Sequence, residues 1–167
     1  NGCFSITASK LTGADFFLDE PSVTGTENAV MAAVLAEGET RIRNAAAEPH
    51  VQDLCSLLNA MGARISGIGT HMLRIEGVRE LRGATFKIGP DHIETGSFIG
   101  LAAVTGSDLI IEDAPVDHLD STLIGFRRLG IDCTIDGTDL HVKGAGEHHI
   151  RQDAFGAVPK IDDGPWP

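Results

Sequence analysis

NAMGARISGIGTHMLRIEG, residues 59–77, is written a second time in the chain as RRLGIDCTIDGTDLHVKG, residues 127–144. Gly62 aligns with Gly130, Gly69 with Gly137 and Thr70 with Thr138, all at an offset of sixty-eight. Further upstream, LTGADFFLD at 11–19 matches LRGATFKIG at 81–89 at an offset of seventy, so two residues drop out between these matches. A period this long is not that of a solenoid and indicates a duplicated small α/β unit.

Each copy reads the same way. A strand (14–19; 84–88) leads to a helix with small and apolar residues nearly all round (26–36; 94–104), a composition that suggests burial between layers. A second strand follows (40–44; 109–112). Next comes an amphipathic helix with Val51, Leu54, Leu57, Leu58 and Met61 on one stripe, matched by Leu119, Leu123, Phe126 and Leu129. Gly62 and Gly130 supply the left-handed stop. A hairpin closes the unit (63–66 with 72–76; 131–135 with 140–143), its turns SGIGTH and DGTD having the glycine and aspartate that hairpins require. The order is β-α-β-α-β-β, twice. Right-handed crossovers place the strands they join parallel, and the last pair runs antiparallel, so a mixed sheet is expected in each unit. The organisation predicted is a first unit over 1–80, a second over 81–145, and a linker over 146–167 leading into something further.

Composition narrows the functional classes. The 167 residues, 42% hydrophobic and 22% charged, suffice for a buried core without staples. The longest apolar run, residues 29–36, is too short to cross a membrane. The formal net charge of −11 argues against nucleic acid or an anionic membrane as partner. The one adjacent basic pair, Arg127-Arg128, ends a predicted helix, where cations complement the dipole. Cys3, Cys55 and Cys133 are odd in number and far apart, which predicts free thiols in a reducing, cytoplasmic setting. The seven histidines form no ligand pattern, so neither a metal nor a cofactor is expected. The start, NGCFSITASK, does not begin with Met, and the chain reads as a piece of a longer one.

PSVTGTENAV, residues 21–30, poses a local question. Ser22, Thr24 and Thr26 can each cap a helix, and Glu27 suits its positive end. The same amides are what a phosphate would seek. A plain cap and an anion-holding loop both fit these residues. Elsewhere, Glu48-Pro49 reads as a helix start with proline in the first turn, and Asp91 and Glu94 cap and charge another.

The run PSVTGTENAVMAAVLAEGETRIRNAAAEPHVQDLCSLLNAMGARISGIGT (21–70) resembles a family pattern of the type SVGATEN, AA-LAEG-T-I-NAA-EPE, LNA-GA-I-G-GT. PDHIETGSFIGLAA (90–103) resembles the same family's PDRIETGTF. The doubled unit is similar to the building block of the enolpyruvyl transferases, whose two lobes each hold three such units in an inside-out α/β barrel. The match is colinear and spans nearly the whole chain. It is nearer to the branch that acts on UDP-N-acetylglucosamine in peptidoglycan and cell-wall synthesis.

The resemblance implies an enzyme moving the enolpyruvyl group of phosphoenolpyruvate to the sugar 3′-hydroxyl. These residues would be the last unit of one lobe and the first of the other. The catalytic acid and base would lie outside them, making the piece inactive alone, and neither Asp162 nor Asp163 matches the base. The residues matched to the family's uridine-diphosphate contacts are Glu20, Pro21, Ser22, Val23, Thr24 and Gly25. Glu20 stands where some members carry Lys, Thr24-Gly25 replaces the usual Gly-Ala, and His92 stands where Arg is frequent. The alternatives are the 5-enolpyruvylshikimate-3-phosphate synthase branch, with the same donor and fold, and a non-catalytic binding protein of this fold.

Overall fold

The computed structural model describes residues 5–158, 160–162 and 164; Cys3, Asp163, Trp166 and Pro167 lie outside them. Two compact units divide between Ile88 and Gly89.

In the first unit, β1 (Asp15–Phe17), α1 (Val23–Ala33), β2 (Glu39–Arg43), α2 (Pro49–Ala60), β3 (Arg64–Ser66) and β4 (Met72–Glu76) follow the predicted order. The sheet runs β1-β2-β4-β3. β1 and β2 are parallel, as a helical crossover demands, and β4 is antiparallel to both β2 and β3. Alternation along β2 and β4 sends Ile42, Leu73 and Ile75 inward and their neighbours out. Those three pack with Val30, Val34, Cys55 and Leu58 from the two helices. The helical stripe supplies Val51 and Leu58 as buried residues, with Leu54, Leu57 and Met61 at its edges.

In the second unit, α3 (His92–Thr105), β5 (Asp108–Ile111), α4 (Asp120–Arg128), β6 (Asp132–Asp136) and β7 (Asp139–Lys143) form, with a single 3-10 turn at Val116–His118. The core gathers Ile99, Leu119, Leu140 and Val142.

The predicted opening strand of the second unit, residues 84–88, does not form: this segment has no ladder partner among the described residues. The second sheet is therefore three-stranded, β5-β7-β6, and wholly antiparallel between neighbours rather than mixed. The physical difference lies in the packing. Phe16 and Leu18 dock on the first core and anchor β1, whereas Ile88, the match of Leu18, is 75% exposed and gives its segment no comparable hold.

The expectation that α1 and α3 are buried on nearly every side also needs correction. Within a unit each covers its sheet with one face only, through Thr26, Val30 and Ala33, or Thr95, Ile99 and Ala102. One sheet can shield only one side of a helix. Met31 and Leu35 remain about half exposed, and Ile93, Leu101 and Val104 are also exposed.

Both amphipathic helices end alike. Ala63 N donates to Leu58 O at 2.9 Å and Ile131 N to Phe126 O at 3.0 Å, with Gly62 at φ 103° and Gly130 at φ 84°. Only glycine takes that turn without steric cost.

Candidate functional site

The loop between β1 and α1 is built from short-range bonds. Leu18 N donates to Arg43 O at 3.0 Å, and Asn44 Nδ2 donates to Leu18 O at 2.9 Å, so both ends of Leu18 are tied to the end of β2. Glu20 O then accepts from Ser22 N at 2.7 Å, which tightens the chain just before the helix.

Of the three hydroxyls, Ser22 is the cap. Its Oγ accepts from Gly25 N at 3.1 Å, and its carbonyl accepts from Thr26 N at 2.9 Å. Gly25 sits so close that an added Cβ would lie 3.1 Å from Ser22 Oγ, which gives that glycine a packing reason. Thr24 is exposed. Thr26 is fully buried and spends its Oγ1 on Ala46 N at 2.9 Å, joining the first turn of α1 to the loop after β2. The first amides of a helix, here Val23 and Thr24, have no intrahelical acceptor. The structure thus gathers Pro21, Ser22, Val23 and Gly25 in one half-buried turn, with Glu20 and Thr24 open to solvent on it.

The start of α3 is chemically different. Asp91 Oδ1 accepts from Ile93 N at 2.7 Å and Glu94 N at 3.1 Å. A carboxylate already occupies that positive helix end, whereas a neutral hydroxyl caps α1. α1 is consequently the better receiver of an external anion.

Cations for such an anion are not free on the first sheet. Glu39 takes Arg41 at 2.6 Å and Arg74 at 2.5 Å. Hydrogen bonds from Arg41 and then Arg74 hold the Glu39 carboxyl below its usual range. Arg43 pairs with Asp15 at 2.9 Å. Glu76 lies 3.7 Å from both Arg64 and Arg74.

An open depression of ≈ 430 Å³, lined by Phe17, Arg43, Asn44, Thr70, His71 and Met72, lies at the end of β1 and β2 from which the loop departs. His71 Nδ1 approaches Ala45 O at 3.0 Å there. The sequence did not single out Asn44, and it offered Thr26 only as a cap; an amide beside a strand end and a threonine inside a helix carry no local signal of their tertiary bonds.

Glu48-Pro49 starts α2, with Pro49 in its first turn. Cys55 is buried, and desolvation first, then the Glu27 charge, pushes its thiol up to about 11. Cys133 is raised by burial and Asp132, against Arg127. Neither thiol is disulfide-bonded. No group of three or more His, Cys, Asp or Glu suited to a metal occurs among the described residues. Among those same residues, no helix is long and apolar enough to cross a membrane.

Comparison with known proteins bears directly on this arrangement. The sequence model of the family EPSP synthase (3-phosphoshikimate 1-carboxyvinyltransferase) matches residues 2–163. The UDP-N-acetylglucosamine 1-carboxyvinyltransferase of Bradyrhizobium diazoefficiens is 58% identical over 96% of this chain and 37% of its own length. That of Treponema denticola is 54% identical over 98% of the chain and 38% of its own. The chain therefore spans under two fifths of the length of these curated relatives. Among solved structures, the enolpyruvyl transferase NikO from Streptomyces tendae superposes with a TM-score of 0.70 at 22% identity, covering 81% of this chain and 36% of that one. EPSP synthase from Acinetobacter baumannii superposes at 0.61 and 24%, covering 81% and 32%. Duplicated unit, fold and family match agree, and the chain belongs to the EPSP synthase (3-phosphoshikimate 1-carboxyvinyltransferase) family of enolpyruvyl transferases.

Proposed function

We propose that these residues are part of a cytoplasmic enzyme that transfers the enolpyruvyl group of phosphoenolpyruvate to the 3′-hydroxyl of UDP-N-acetylglucosamine, releasing phosphate. Their own task is to hold the nucleotide diphosphate on Glu20, Pro21, Ser22, Val23, Thr24 and Gly25. One observation carries this reading: α1 starts with a neutral hydroxyl cap that takes the Gly25 amide and leaves the Val23 and Thr24 amides without an intrahelical acceptor, while the equivalent end of α3 is filled by Asp91. The exposed side chain of Glu20 is free to turn away from an anion. The names of the relatives favour the amino-sugar nucleotide as acceptor.

The acid and base of the transfer come, on this reading, from parts of the longer enzyme outside these residues, as the coverage of the relatives supports. An amide chemical-shift titration of the chain with UDP-N-acetylglucosamine tests the site, with shikimate-3-phosphate as control. Saturable shifts at Val23–Thr26 with the sugar nucleotide alone are expected. No response there at millimolar ligand would leave Ser22 a structural cap only.

A further inference from the structure

Thr26 and its counterpart Thr95 are both buried in the first turn of a helix, and their hydroxyls do different things. Thr26 Oγ1 accepts from Ala46 N at 2.9 Å, across twenty residues of chain. Thr95 Oγ1 donates to Asp91 O at 2.8 Å, inside its own helix turn. The position of Ala46 is taken in the second unit by Pro115, which has no N–H to offer a hydroxyl.

The other end of the loop differs in the same direction. Asn44 Nδ2 donates to Leu18 O at 2.9 Å, whereas Asp113, its counterpart, has no side-chain N–H with which to do so. Leu18 N in turn donates to Arg43 O at 3.0 Å. Residues 43–46 thus fasten the stretch 18–26 at its entry and at its exit. They are themselves held by the hairpin turn: Ala45 N donates to His71 O at 3.0 Å, and His71 Nδ1 lies 3.0 Å from Ala45 O.

The duplication therefore supplies its own control. A helix start capped by a neutral hydroxyl coincides with a braced loop in the first unit. A start filled by Asp91 coincides with a loop lacking both side-chain braces in the second. A loop already fixed in its bound shape spares the binding step the cost of ordering it.

We propose that Thr26 and Asn44 are positioning residues for the acceptor nucleotide, holding residues 18–26 in the binding shape before the diphosphate arrives. They act through the first turn of α1 and through Leu18. The inference rests on the substrate reading above.

Thr26→Val keeps the volume and removes the acceptor of Ala46 N, while Thr26→Ser keeps that acceptor. Asn44→Gly removes the clamp and tolerates the left-handed backbone. In the 167-residue chain, amides of residues 18–26 exchange about tenfold faster in Thr26→Val and Asn44→Gly than in the parent. In the longer enzyme each of these two raises KM for UDP-N-acetylglucosamine about tenfold with kcat within about threefold, as when about a tenth of the molecules hold the competent loop. Thr26→Ser stays within about twofold of the parent in KM. Should Thr26→Val fail to fold, Asn44→Gly decides by the same two readouts. A parent chain that gives no response to the nucleotide at Val23–Thr26 fails the substrate reading, and this proposal with it. A parent that responds, with both variants keeping its KM or losing kcat instead, fails this proposal alone.

Discussion

Asn44 and Asp113 stand sixty-nine residues apart and share one backbone conformation, left-handed, at φ 60° and 51°. Each follows the second strand of its pseudo-repeat. The next amide closes the same long-range bond in both: Ala45 N to His71 O at 3.0 Å, Ala114 N to Thr138 O at 2.8 Å. Asn and Asp tolerate this region better than other non-glycine residues. In the first unit the amide side chain does more, because Asn44 Nδ2 clamps Leu18 O at the base of the candidate ligand loop.

Replacing Asn44 separates those two roles. Asn44→Gly keeps the backbone and loses the clamp, at a cost of about 1 kcal/mol. Asn44→Val adds left-handed strain, for a total of about 2–3 kcal/mol. Urea denaturation measures both, and faster amide exchange across residues 18–22 should accompany each.

Ser22 offers a substitution that divides stability from binding. Ser22→Ala removes the Gly25 cap bond and should cost about 1 kcal/mol. Ser22→Asp should retain stability, since aspartate caps as well as serine. Its carboxylate would occupy the helix start as Asp91 does on α3, so the response to UDP-N-acetylglucosamine should weaken at least tenfold by about 1.4 kcal/mol of lost affinity. A Ser22→Asp chain that binds as the parent does would remove the anion from this helix end.

Gly77 leaves no room for a methyl group. A Cβ there would overlap the Ala36 carbonyl oxygen, and Gly144, its counterpart, would meet the carbonyls of Ala102 and Ser107. Gly77→Ala should destabilise by about 2–4 kcal/mol. Gly83→Ala, with nothing within 4 Å, should lie within about 0.5 kcal/mol of the parent. Denaturant midpoints at unchanged slope provide the test.

Cys55 sets an alkaline limit. Burial raises its folded thiol to about 11 from the ordinary 9.0, so folding favours the neutral form. That contribution is fully present below about pH 9 and is lost as pH climbs from there through about 11. Cys55→Ala should flatten this part of the stability profile, measured by thermal melts between pH 8 and 11. In the parent, iodoacetamide at pH 8 should leave native Cys55 unmodified.

The legible part of the molecule was what repeats locally. Two glycines ending two amphipathic stripes, and two glycine-bearing hairpins, specified the repeated helix-and-hairpin half of each unit, because Gly62 and Gly130 answer a backbone need that any reader of the sequence can see. The proline of Glu48-Pro49 and the carboxylate of Asp91 marked helix starts for equally local reasons. Residues 84–88 misled because they match 14–18 in sequence. A strand, however, is stabilised by its neighbour and its core, and Leu18 has a core contact at the end of β1 while its match Ile88 stays exposed.

By itself, then, the sequence determined the duplication, the order of elements in the first unit, the helix ends of both units and the family, since these rest on short-range sterics and pattern. Tertiary structure alone decided which hydroxyl of PSVTG caps α1, and that Thr26 instead braces the loop after β2. Those outcomes depend on which groups meet across twenty or more residues of chain, and hydrogen-bond satisfaction between distant segments leaves no mark on residue spacing.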